Sequence, residues 1–121
     1  MSPRVSIASL HATELVPMSP TEGGWVPVEG DANTQAQTFY DKNGIWSGVA
    51  VLEPCSFTYT APQSGAIQIL EGEATLHYDG TSRDLAAGDI IYLATGAETM
   101  WVVKKRMKEF FIAATGSQAV D

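Results

Sequence analysis

The sequence predicts a single all-β domain, an antiparallel β-barrel, and three observations lead there. Short runs of strand-forming residues recur at steady intervals from residue 34 to residue 113, separated by turn signals such as Asn43-Gly44, Asp79-Gly80 and Ala87-Gly88-Asp89. Alternation puts Tyr59 with Ala61, Ile67 with Ile69, and Thr99 with Trp101 and Val103, each set on one face of its strand. No segment holds apolar residues at helical spacing for long enough to form a helix.

Taken in order, the first thirty-three residues are the least regular part. Pro17, Pro20, Gly23, Gly24 and Pro27 punctuate them, which predicts an arm with one strand at 5–10 and then a loop around Trp25. That indole either staples the loop to the body or covers a ligand. Strands at 35–40 and 45–52 flank a turn at 41–44, where Asn43-Gly44 takes up positive φ easily. A strand at 56–61 follows Glu53-Pro54-Cys55. Strands at 66–70 and 74–78 are separated by Glu71-Gly72-Glu73, and Asp79-Gly80 turns the chain into 81–85. The strand at 90–93 ends at Thr95-Gly96, and 100–103 with 109–113 makes a final hairpin. The domain plan is therefore an arm and loop at 1–33, a barrel at 34–113 and a small polar tail at 114–121.

Whole-chain composition excludes several function classes. A chain of 121 residues, 45% apolar and 17% charged, has the composition of one globular core. A formal charge of −7 argues against nucleic acid, whose phosphates need a cationic surface. The cationic cluster Lys104, Lys105, Arg106 and Lys108 reads either as a local anion site or as a solvated turn within the last hairpin. Apolar runs are a strand long at most, too short to span a bilayer, and the N-terminus shows no apolar export signal. Cys55 is the only cysteine, which fits a reducing compartment, so a cytoplasmic location is expected. With Glu53, Pro54 and Ser56 around it and no histidine nearby in sequence, its thiol reads as structural rather than nucleophilic.

The spacing of several motifs resembles the cupin superfamily. These are Ile69-Leu70-Glu71-Gly72-Glu73-Ala74, then Asp79-Gly80, then Leu85-Ala86-Ala87-Gly88-Asp89-Ile90, then Gly96. Trp46, Trp101-Val102-Val103 and Lys108 to Phe110 narrow the likeness to small single-domain cupins related to ureidoglycine aminohydrolase and to an ethanolamine-utilisation cupin. The match runs over residues 45–113 and implies a double-stranded β-helix, or jelly roll. The resemblance also implies where a divalent metal would be held. Counted from Gly72, Gly88 and Gly96, the family's ligand positions fall on Tyr59, Ala61, Gly65 and Thr99. These lack the imidazole and carboxylate donors that such a site needs, so no metal and no cofactor are expected. His77 and His11 read as surface residues more readily than as replacements, Glu98 should point away from Thr99, and Asp89 should bond to turn backbone.

What remains is an interior lined by Tyr59, Ala61, Ile67, Thr99 and Trp101, with Gln63 at the rim and Trp46 closing one side. That mixture suits a small, partly apolar molecule held by one or two hydrogen bonds; the plainer alternative is aromatic filling with no pocket. Tyr59 is the one titratable group this reading places inside. The sequence therefore leads to a metal-free barrel that binds a small metabolite and is non-catalytic or weakly catalytic. The alternative is a small-molecule enzyme related to metal-dependent cupin aminohydrolases, isomerases or dioxygenases. A homodimer is expected, because Ile90, Tyr92, Met100 and Val102 form an apolar outer set. No nucleic-acid or membrane partner is expected.

Overall fold

The computed structural model describes residues 4–11 and 14–114. Nine strands and one short helix occur there: β1 (Val16–Met18), α1 (Pro20–Gly23), β2 (Trp25–Gly30), β3 (Thr34–Lys42), β4 (Ile45–Leu52), β5 (Cys55–Thr60), β6 (Gly65–Tyr78), β7 (Thr81–Ala86), β8 (Ile90–Leu93) and β9 (Glu98–Ala114). All strand pairs are antiparallel and belong to one curled sheet. The fold is an all-β barrel of the jelly-roll kind.

Two long strands organise it. β6 and β9 pair with each other from Gly65↔Ala113 to His77↔Met100. On the far side of β9, one half pairs with β4 and the other with β5. On the far side of β6, one half pairs with β8 and the other with β7. One half of the barrel thus runs β1-β3-β4-β9-β6-β8, and the other β2-β5-β9-β6-β7. Side chains on the inner faces of the two halves meet as a core that includes Leu52, Phe57, Ile69, Leu76, Trp101 and Met107.

The expected hairpin turns form. Asn43 and Gly44 have φ of 56° and 76°, and Asp79 and Gly80 have 49° and 72°, so each turn carries positive φ at both central residues. Four other expectations change. Residues 5–10 are not a strand; they are irregular and exposed. The loop around Trp25 is replaced by β1, α1 and β2, because β1 adds to β3 and β2 adds to β5, pairings that local periodicity could not reveal. The break at 71–73 is a bulge inside the single strand β6, with register shifts from Ile69 to Ala74. The final hairpin does not exist either, since 98–114 is one strand. Residues 104–108 are not a turn but the bend of β9, where Lys104 pairs with Asp84, Lys105 with Glu73 and Arg106 with Glu53 at 3.5, 3.0 and 3.0 Å. Lys108 Nζ donates to the Leu10 carbonyl. The cluster is thus occupied by carboxylates and backbone, and pairs this exposed add little to stability. The tail at 115–121 lies outside the described residues.

Gly72 makes the bend possible. Its φ of 96° favours glycine, and a Cβ there would run into the backbone of Arg106 and Met107 on β9. Gly80 has similar φ but open space around it. Gly72→Ala should therefore lower stability by about 3 kcal/mol or more, against about 1 kcal/mol for Gly80→Ala, in denaturant titrations followed by Trp fluorescence. Equal effects would show that the β6–β9 approach is not the constraint it looks to be.

Candidate functional site

A cavity of about 340 Å³ opens between α1, the first residues of β2 and the inner faces of β4, β5, β6 and β9. Six aromatic rings line it: Trp25, Trp46, Phe57, Tyr59, Trp101 and Phe111. Five of them brace one another. Trp46 meets Phe111 edge-on with centroids 4.7 Å apart, Trp25 lies 5.7 Å from Phe57, and Phe57 stacks on Trp101 at 6.2 Å. Trp25 is held by its own turn. Ser19 caps α1 in a reciprocal box with Glu22, Gly24 takes φ of 86°, and the Trp25 ring lies over Gly23, where any side chain would collide with it.

All three indole N–H groups are already used. Trp25 Nε1 donates to the Ala32 carbonyl at 2.9 Å, Trp46 Nε1 to Thr38 Oγ1 at 3.1 Å, and Trp101 Nε1 to Thr99 Oγ1 at 3.1 Å. The rings therefore present faces and edges to the cavity, and their polar ends are tied back into the wall.

Of the residues expected at the site, Trp46, Tyr59, Gln63, Ile67 and Trp101 line this cavity. Ala61 and Thr99 do not. Ala61 is buried at the barrel end, where its N–H donates to the Ala97 carbonyl and its carbonyl accepts from Gly96 N–H. Thr99 is buried behind the wall: its hydroxyl donates to the Tyr59 carbonyl at 2.8 Å and accepts from Trp101. It supports two lining rings without being one of the lining groups.

Glu109 is the residue that sequence reasoning missed. It sits on β9 opposite Ala50 of β4 and Ile69 of β6, is 91% buried, and lines the cavity. No hydrogen bond from a described residue reaches its carboxylate, and burial alone pushes the carboxyl up to about 7. Burial, with the Glu109 charge second, also pushes the Tyr59 phenol above its ordinary value. Tyr59 is therefore not the only titratable group inside. The signal was the inward parity of Thr99, Trp101 and Val103, which lapses at the exposed Lys105 and resumes at Met107 and Glu109 once 98–114 is taken as one strand. The assumed hairpin turn erased it.

The other candidates fall where a bland reading puts them. His77, His11, Glu71, Glu73 and Glu98 are exposed. Asp89 Oδ2 accepts from the Ala86 N–H at 2.9 Å, closing its turn. Cys55 is buried, and desolvation with the nearby Asp31 charge pushes its thiol up, away from thiolate chemistry.

Does the site fit the divalent metal that cupins commonly hold? Of the four positions that the resemblance implies for ligands, Tyr59 and Gly65 line the cavity, Ala61 and Thr99 do not, and the Thr99 hydroxyl is committed to two partners. Among the described residues no three His, Cys, Asp or Glu side chains group around a common point. The donors do not fit a metal.

Comparison with known proteins agrees with the architecture. The Clostridium difficile EutQ protein superposes with a TM-score of 0.63 at 11% identity, over 74% of this chain and 78% of that one. An RmlC-like cupin from Shewanella frigidimarina gives 0.67 at 14% identity, over 97% and 95%. The cupin domain of Schizosaccharomyces pombe Cnp3 gives 0.67 at 13% identity, over 93% and 76%. At such identities the likeness concerns fold. No curated protein matches the sequence. Residues 36–111 match the family model described as the EutQ-like cupin domain. That span is more than half of the chain, and the chain belongs to the EutQ-like cupin domain family.

Proposed function

We propose that the protein binds a small, partly apolar metabolite in the aromatic cavity, without a metal, and that it is non-catalytic or weakly catalytic. The observation that carries this reading is the cavity itself. Its volume lies at the small end of the range for small-molecule sites, its walls are braced rings, and few polar groups converge on it. A barrel filled by its own aromatics would leave no such space. No helix of the described residues is long and apolar enough to cross a membrane.

One observation favours a second reading, a small-molecule enzyme. Glu109 is held near the pH at which a carboxyl both accepts and returns protons efficiently. In that reading Glu109 replaces the metal as the reactive group.

We also propose a homodimer. Ile90 and Tyr92 project from β8 with 50% and 77% of their surfaces exposed, and Ile112 of β9 continues the Tyr92 row through Ala66. Met100 and Val102 are half-buried and lie on the other half of the barrel, so the β8 face is the stronger candidate.

Three outcomes follow. Titration with 2-phenylethanol, a neutral probe, should give saturable shifts of all three indole N–H resonances in NMR spectra. Ile67→Trp, which fills the cavity, should abolish them; shifts scattered over the surface would count against the cavity. The folded state keeps the Glu109 proton to higher pH than the unfolded chain does. Stability should therefore fall by about 3 kcal/mol as pH rises from about 4.5 to about 7, then level off. Glu109→Gln should flatten that part of the profile, read by denaturant midpoints across pH. Light scattering at micromolar concentration should give twice the chain mass, and Tyr92→Glu should halve it.

A further inference from the structure

The polar groups of the cavity are unbalanced in sign. Among its lining residues the titratable groups are Glu109, Glu22 and Tyr59. Glu109 lies in the interior; Glu22 sits at the exposed mouth, where the Ser19 N–H and hydroxyl hold its carboxyl below its ordinary value. None of the seven lysines and arginines lines the space, and both histidines are exposed elsewhere. The indole donors that could offset a buried carboxylate are spent, because each indole N–H already donates to a protein oxygen. Only the Tyr59 hydroxyl and the Gln63 amide remain as side-chain donors facing the space.

An isolated buried carboxylate is costly unless it is paired. Nothing in the described protein pairs with Glu109, yet six aromatic rings line the space it shares. Ring faces carry negative partial charge and attract cations. Carboxylate and rings therefore ask for the same thing, positive charge on an otherwise apolar body, and both carboxylates repel an anion.

Resting on the cavity reading above, we infer that the ligand is a small organic cation: an amine whose charged nitrogen is received by Glu109 and whose hydrocarbon part lies against the aromatic walls. This goes further than a partly apolar metabolite, because it sets the sign of the ligand's charge and names the residue that reads it. A neutral molecule of the same shape gains the apolar contacts alone. A carboxylate of that shape adds a second negative charge to the cavity.

The test uses matched probes on the full chain at about pH 8, where Glu109 is ionised and alkylamines are protonated. Three frames, isopentyl, cyclohexylmethyl and phenethyl, are each measured as amine, alcohol and carboxylate by NMR titration of the indole N–H groups. The amine should bind about tenfold or more tightly than the alcohol, and the carboxylate more weakly still. Glu109→Gln keeps the shape of the side chain, and in it the amine and alcohol should come within about twofold of each other. Glu98→Gln removes an equal charge from an exposed position away from the cavity and should keep the preference. Alcohols that match the amines, or a preference that survives Glu109→Gln, overturn the inference and leave the cavity reading in place. Failure of every probe in every frame overturns the cavity reading and the inference with it.

Discussion

The pairing of β6 with β9 is the constraint from which the rest of the molecule follows. These two strands cross the whole barrel, and each half of the sheet is completed by strands added to their outer edges. Such long antiparallel strands cannot stay straight and still enclose a core, so the pair must bend without losing its inward and outward alternation. Gly72 provides the bend on β6, and the charged run 104–106 provides it on β9, where three exposed cations find carboxylates on β6, β7 and the loop before β5. Parity survives the bend. Trp101 and Val103 on one side of it, and Met107 and Glu109 on the other, are all buried.

That alternation, which lapses only at the exposed Lys105, is what carries a carboxylate into an apolar interior. Met107 and Phe111 on either side of Glu109 are apolar residues facing the same way, and a third apolar side chain would have packed there at lower cost. The wall around it is built with economy of a particular sort: every indole nitrogen is satisfied by protein, which rigidifies the rings and withholds their donors from the cavity. The outcome is a preformed space with aromatic faces, one interior carboxylate and no cation among its lining residues.

Membership of the EutQ-like cupin family accounts for the barrel and leaves the chemistry to the site. The positions that the resemblance implies for a metal are Tyr59, Ala61, Gly65 and Thr99, and Ala61 and Thr99 do not line the cavity. Thr99 is a brace, accepting from Trp101 and donating to the backbone carbonyl of Tyr59. The implied positions thus serve packing, and the interior titratable carboxylate is Glu109 on β9.

By itself the sequence determined the fold class, both Asn-Gly and Asp-Gly turns, the strands between 34 and 60 and between 81 and 93, and five of the cavity-lining side chains. Each of those rests on local information: turn residues with easy positive φ, and a two-residue period within one strand. Tertiary structure decided the rest. β1 and β2 exist as strands because β3 and β5 offer them open edges, which no periodicity within residues 14–30 records. The hydrophilic stretch at 104–108 stays extended because β6 pairs across it and carboxylates on three elements accept its charges, although its composition looks like a turn. Glu109 depended on that outcome, since a side chain's face is known only when the strand carrying it is known to be continuous.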